Sequence, residues 1–253
     1  MDALLAVEGL SKAFGRLQAV HDVSFAVAPR EIRAVIGPNG AGKTTLFHLI
    51  SGALRPDKGT VRFAGQDVTA LPGHARVRLG LSRTFQVPNV FAGLSVRDNL
   101  RLGVEAAEGL SRYPWIGRGR REQVDERVEQ LLARLRLDKK AERPVGELAH
   151  GDQRVVEIGL ALSLGARLLL LDEPTAGMSD EETAATVRLI RELWEKEGVA
   201  VLFTEHDMRV VFEVAHRITV LHLGEVLAEG GPQEIAAHPA VQAAYLGSEA
   251  MGA

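Results

Sequence analysis

The 253 residues predict an α/β fold with a parallel-sheet core, an N-terminal antiparallel β part and an inserted α-helical lobe. Three observations carry this. Short apolar runs at 34–36, 168–171 and 199–203 are each followed by a helix-like segment, the order that packs helices onto a buried parallel sheet. The first thirty residues alternate apolar and polar instead (Leu5, Val7, then Val23, Phe25, Val27), the pattern of half-buried antiparallel strands. Between these parts, from Val96 to Leu137, the texture turns helical.

Taken in order, the strand at 34–36 runs into Gly37, and residues 43–51 form a helix stopped by Gly52. A further strand lies around 60–63. The clearest helix of the insert spans 122–137, with Val124, Val128, Leu131, Leu132 and Leu135 on one face. Residues 158–164 read as helix and 168–171 as a buried four-leucine strand. Ser179-Asp-Glu-Glu182 is a capping box that opens a helix through Trp194, closed by Lys196 and Gly198. A strand at 199–203, a helix near 208–215 and a hairpin at 218–223 and 225–228, split by Gly224, complete the chain. One domain, 1–253, is expected: a core of 1–87 and 161–253, and a helical lobe at about 88–160.

Composition narrows the function. Apolar residues make up 46% and charged residues 25%, which excludes wholesale disorder. A net charge of −3 provides no basic field for nucleic acid or anionic lipid. Cysteine is absent, so disulfides and thiolate chemistry are excluded. The most apolar stretch, 158–171, is interrupted by Arg167, and Asp2 and Glu8 stand where a signal peptide would be basic. The chain is expected to be soluble when isolated, and a partner must hold it at any membrane.

Gly37-Pro-Asn39-Gly40-Ala41-Gly42-Lys43-Thr44 matches G-x-x-x-x-G-K-[ST] between a strand and a helix. Its backbone N–H groups, with Thr45 at the helix start, can close around phosphate oxygens. Lys43 supplies charge to the β- and γ-phosphates, and the Thr44 hydroxyl is a ligand for Mg²⁺. At the end of the leucine strand, Asp172 suits the Mg²⁺ shell, and Glu173 suits alignment and deprotonation of an attacking water. Together these indicate a P-loop NTPase-type core. The histidines show no metal-like clustering, so no metal besides nucleotide-bound Mg²⁺ is expected.

Over nearly its whole length the chain resembles the ATP-binding-cassette ATPases. Gln86 in Arg83-Thr-Phe-Gln matches the glutamine loop, which in that family senses Mg²⁺ and the attacking water and contacts the membrane domain. Leu148-Ala149-His-Gly151-Asp152-Gln-Arg stands where the family signature LSGGQ is found. Ala176-Gly-Met-Ser179 occupies the loop after the acidic pair, and His206 stands at the switch-histidine position, a γ-phosphate contact. Phe14, followed by Val20, fits the aromatic that stacks on adenine. Ala149 replaces the signature serine, and Asp152 replaces glutamine and brings negative charge toward a polyanion. The ATP site completed by this chain's signature is therefore expected to be the weaker one.

The resemblance implies ATP and Mg²⁺ as cofactors, with Lys43, Gln86, Glu173 and His206 in catalysis and Thr44, Gln86 and Asp172 on the metal. It also implies a head-to-tail dimer with a second ATPase subunit or another copy of the chain, in which Ala149, Gly151 and Asp152 face the ATP held by the partner. No guanine-type Asn-Lys-x-Asp motif occurs. A single cassette with a short insert argues against the soluble ABC ATPases that act on nucleic acid, which stand as an alternative. Gly80-Leu-Ser-Arg-Thr-Phe-Gln86, Glu205-His-Asp-Met208 and His238-Pro-Ala-Val-Gln-Ala-Ala-Tyr-Leu-Gly247 are similar to the ATPase subunits of branched-chain amino acid importers. Leu148-Ala-His-Gly151 and Pro174-Thr-Ala-Gly-Met-Ser-Asp180 are closer to the urea and short-amide branch. The expected partners are transmembrane permease subunits and, indirectly, a periplasmic or extracellular solute-binding protein, with no nucleic acid. The expected location is the cytoplasmic face of the membrane.

Overall fold

The computed structural model describes residues 3–84, 90–110 and 117–249. β1 (Leu5–Phe14) and β2 (Leu17–Val27) form the antiparallel hairpin expected from the alternating N-terminus. With β4 (Lys58–Phe63) and β5 (Gln66–Asp67) they make one sheet in the order β2-β1-β4-β5.

The second sheet runs β10-β9-β3-β8-β7-β6. Here β3 is Ile32–Ile36, β6 Leu81–Arg83, β7 Leu168–Asp172, β8 Ala200–Thr204, β9 Arg217–His222 and β10 Glu225–Gly230. Its pairings are parallel except the terminal hairpin β9–β10. β3, β7 and β8 are buried at every position, which explains why they read as unbroken apolar runs rather than alternating ones.

Alternate residues of these strands feed two cores. Val35, Leu168, Leu170, Ala200 and Leu202 pack with the first sheet and with Leu46, Phe47 and Ile50 of α1 (Lys43–Ser51). Ile36, Leu169, Leu171, Val201 and Phe203 point the other way, into a core shared with the helices. Those helices are α3 (Val96–Ala107), α4 (Arg118–Leu135), α5 (His150–Ser163), α6 (Asp180–Glu197) and α7 (Met208–Val214). α2 (Gly73–Arg78), α8 (Pro232–Ala236) and α9 (Pro239–Glu249) complete the set described.

Among the helix boundaries that differ from the sequence expectation, two have a clear physical reason. α5 opens at His150, eight residues before Ile158, because Arg154 and Glu157 occupy its buried face as an ion pair 2.7 Å apart. Their polarity hides the apolar stripe. α4 ends at Leu135, not Leu137: Arg136 takes a left-handed conformation (φ 58°) and Leu137 N–H wraps back to the Leu132 carbonyl at 2.9 Å. The sequence offers no glycine to mark that stop.

Candidate active site

Parallel strands β3, β8 and β7 end at one edge, and their carboxyl ends supply the chemistry. β3 delivers residues 37–44. A Cβ at Gly37 would lie 2.2 Å from the Leu221 carbonyl, and one at Gly42 (φ 97°) 2.2 Å from the Ala19 carbonyl. Glycine at both is a steric requirement, since β9 and β2 press directly on the loop. The Lys43 ammonium lies within this loop and donates to the Gly37 and Pro38 carbonyls at 2.6 and 3.1 Å. Burial pushes its pKa below the ordinary lysine value, opposed by the charges of Glu173 and Asp172. The loop lysine and the acidic pair therefore share one electrostatic site. Thr44 is exposed at the mouth of the loop and Thr45 half-buried behind it.

Asp172 is 3% exposed at the end of β7. Its Oδ1 accepts from the Thr204 hydroxyl at 2.7 Å and its Oδ2 from the Arg83 guanidinium at 2.8 Å. Arg154 donates to the Asp172 carbonyl at 2.7 Å, tying α5 to the same strand end. Glu173 follows with φ 46°, a conformation uncommon for a non-glycine residue. Its N–H is shared between the Thr204 carbonyl and hydroxyl, both at 3.1 Å. His206 follows β8 with its side chain 70% exposed, free to meet a ligand, and its Nδ1 is 3.7 Å from Glu205.

The signature residues pair away from the lysine. Ala149 is the N-cap position of α5, with no side-chain cap. Gly151 N–H donates to the Glu182 carboxylate, which also takes the backbone N–H and hydroxyl of Ser179. Those bonds hold the Glu182 carboxyl below its usual range, the Ser179 bonds most strongly. Ser179 and Glu182 complete a capping box, so Ser179 serves α6 as its N-cap. Asp152 is paired with Lys140 at 2.5 Å, and its charge is already balanced within the chain. The sequence reading brought this negative charge toward a polyanion without placing Lys140 beside it.

Phe14 is 47% exposed at the tip of β1, with the Lys12 ammonium 5.8 Å from its ring, and keeps a free face. Val20 departs from the sequence assignment. It is fully buried, and its Cγ2 lies 3.5 Å from where a Gly42 Cβ would stand, so it packs under the loop. Gln86 lies outside the described residues. Sequence reasoning gave no role to Arg83, Thr204, Arg154 or Glu205, whose partners lie far along the chain. Among the described residues, no cluster of three or more His, Asp or Glu could hold a resident metal. The Thr44 hydroxyl and Asp172 carboxylate are hard oxygen donors of the kind Mg²⁺ takes.

A phosphate loop between a buried strand and a helix, with an acidic pair at the end of a strand in the same parallel sheet, defines a P-loop nucleoside triphosphatase. Residues 20–176 match the ABC transporter family, and residues 225–251 match the family described as branched-chain amino acid ATP-binding cassette transporter. The chain is 40% identical over 98% of its length to the lipopolysaccharide export system ATP-binding protein LptB of Acidithiobacillus ferridurans, covering 99% of that relative. It is also 40% identical to the high-affinity branched-chain amino acid transport ATP-binding protein LivG of Salmonella typhimurium, covering 96% of this chain and 98% of that one. Among solved structures, the ATP-binding cassette MJ1267 superposes with a TM-score of 0.85 at 30% identity, covering 97% of this chain and 99% of that one. Its ADP conformation gives 0.83 at 29% identity, covering 98% and 100%. The chain belongs to the ABC transporter family as an ATP-binding, ATP-hydrolysing subunit. No helix among the described residues is long and apolar enough to cross a membrane.

Proposed function

We propose that this chain powers uptake of branched-chain amino acids through a separate permease, docked on the cytoplasmic face of the membrane. The observation that carries the substrate class is the C-terminal match at 225–251, a segment outside the general ATPase match. Two chains, identical or related, pair head-to-tail, and each ATP lies between one chain's residues 37–45 and the other's Ala149, Gly151 and Asp152.

In this reading, loop N–H groups and Lys43 hold the β- and γ-phosphates, and Phe14 stacks on the base. Thr44, Asp172 and Gln86 would hold Mg²⁺, which would supply positive charge against the phosphates when bound. Glu173 orients the attacking water and accepts its proton, and His206 donates to the γ-phosphate. Buried Asp172 keeps its orientation through Thr204 and Arg83, so the acidic pair is pre-set before nucleotide arrives. Hydrolysis separates the pair and resets the permease.

A chain similar at the same identity is named for lipopolysaccharide export, and parts of the sequence resemble the urea and amide branch, so the test must separate substrates. In cells lacking the chain, leucine uptake should fall and be restored by the wild type but not by Glu173→Gln. Purified Glu173→Gln should bind ATP without turnover, while Lys43→Ala should lose nucleotide affinity. Normal leucine uptake alongside impaired urea uptake or lipopolysaccharide export would overturn the substrate assignment. Strong stimulation of the ATPase by DNA or RNA would overturn the transport role.

A further inference from the structure

Glu205 follows β8, and its side chain is fully buried. No role is assigned to it above, yet each of its oxygens receives two hydrogen bonds. Oε1 accepts from the N–H and hydroxyl of Thr175, at 3.0 and 2.5 Å. Oε2 accepts from the N–H groups of His206 and Asp207, at 2.9 and 3.4 Å. A buried carboxylate persists only when its acceptor capacity is filled, and here four donors fill it. Those donors come from two different loops. One begins at Glu173 and is turned back by Ala176 N–H on the Glu173 carbonyl at 3.2 Å; the other carries His206.

The placement is specific to the reaction. Asp172 pairs in register with Thr204, Glu173 N–H bonds the same Thr204, and Thr175 reaches the next residue, Glu205. The ends of β7 and β8 are therefore zipped beyond the last sheet pair by side chains. Glu173 holds its left-handed φ of 46° between two anchors, Thr204 on one side and the Thr175–Glu205 bond on the other. Such a conformation lasts only where its surroundings over-determine it. The same carboxylate fixes the backbone of His206 while leaving its ring exposed.

We propose that Glu205 is a positioning residue for ATP hydrolysis: its carboxylate clamps the Glu173 loop to the His206 loop, so that the water-activating group and the γ-phosphate histidine keep a fixed separation. This rests on the roles assigned to Glu173 and His206 under the proposed function. The clamp acts on the chemical step and not on nucleotide capture, because Lys43 opens α1, the glycine loop lies between β3 and α1, and neither receives a bond from Glu205.

Glu205→Gln is the test. The amide keeps the shape but turns an NH₂ toward N–H donors, so one of the two loops loses its anchor. Steady-state kinetics of the purified chain should show kcat down by about 10–100-fold, with KM and the nucleotide Kd within about threefold. In a His206→Ala background the same substitution should cost clearly less than it does in the wild type, because part of its effect acts through His206. Unchanged kcat, a raised KM at constant kcat, or losses that multiply in the double variant would overturn the clamp. If Glu205→Gln does not fold, Thr175→Val, which removes one hydroxyl donor, should lower kcat about threefold or more at constant Kd, and an unchanged kcat would overturn the proposal. The wild type and Glu173→Gln are run alongside. If Glu173→Gln turns over ATP normally, the hydrolytic assignment fails, and this outcome is distinct from a failure of Glu205 alone.

Discussion

Lys140→Gln is the perturbation that most directly asks how the altered signature meets phosphate. The Lys140 ammonium lies 2.5 Å from the Asp152 carboxylate, with the two side chains 37% and 26% exposed. Partly exposed pairs of this kind contribute about 0.2–1 kcal/mol to stability, too little for their loss to unfold the chain. Their effect on a bound polyanion is different in kind. Removing Lys140 uncovers one negative charge at the start of α5, and two unit charges about 4 Å apart in water interact by about 1 kcal/mol. An added repulsion of that size corresponds to about a fivefold rise in the ATP concentration needed for pairing. The assay is size-exclusion chromatography over an ATP titration, in a Glu173→Gln background that blocks hydrolysis. Lys140→Gln should shift the midpoint upward about three- to fivefold at low salt and less at high salt, where charges are screened. Adding Asp152→Asn should bring it back. A midpoint that stays fixed or falls in Lys140→Gln would refute the reasoning, since it would mean that Asp152 does not face the partner's phosphate.

Three further outcomes follow from the structure. Arg76, 1% exposed, donates to the carbonyls of Leu49, Ile50, Thr69 and Leu71, and burial lowers its pKa to about 10; Arg76→Met should cost about 3–5 kcal/mol in urea denaturation, because four acceptors lose their donor. Burial lowers the His216 pKa despite the opposing charge of Glu31, and its Nδ1 accepts from Ile32 N–H at 3.0 Å, which requires the unprotonated ring. A depressed folded pKa gives stability that is present above the unfolded value of about 6.5 and lost as pH falls below it, so chemical denaturation between pH 7 and 5 should show a shallower loss in His216→Asn than in the wild type. Ala149→Ser supplies an N-cap acceptor to α5 and should raise stability by about 0.5–1 kcal/mol in the isolated chain; a decrease would show that Glu182 already fills that position.

Local chemistry was legible in the sequence. The strand, phosphate loop and helix from Ile32 to Ser51, the capping box at Ser179 and Glu182, and the glycine stops at Gly52 and Gly198 are set by residues within a few positions of one another. What escaped was set by partners far along the chain. Periodicity gives Arg154 and Glu157 no place in a core, because their mutual pairing, and the Asp172 carbonyl that takes Arg154, are set only by the fold. The four carbonyls that take Arg76 are likewise distant, Leu49 and Ile50 in the last turn of α1 and Thr69 and Leu71 in the loop after β5. Glu205 stood beside His206 without a role, because its other partner, Thr175, is thirty residues earlier. Asp152 was the instructive case: the residue type was right and its charge was real, but the balancing Lys140 could be located only in the folded chain.

The two kinds of polar contact divide the molecule mechanically. At the hydrolytic edge the bonds are buried: Asp172 with Thr204 and Arg83, Glu205 with four donors, Arg154 with Glu157 and the Asp172 carbonyl. In such surroundings an unmade bond costs far more than a made one gains, so these groups move together or not at all. Where α4 meets α6 the pairs are of the opposite kind. Arg134 reaches Glu197 at 2.8 Å and Arg136 reaches Glu192 at 2.7 Å, with the arginine side chains 48% and 70% exposed. Each is worth under about 1 kcal/mol and can be exchanged for water. Polar contacts are therefore costly to disturb at Asp172 and Glu205 and cheap to break and remake where α4 meets α6.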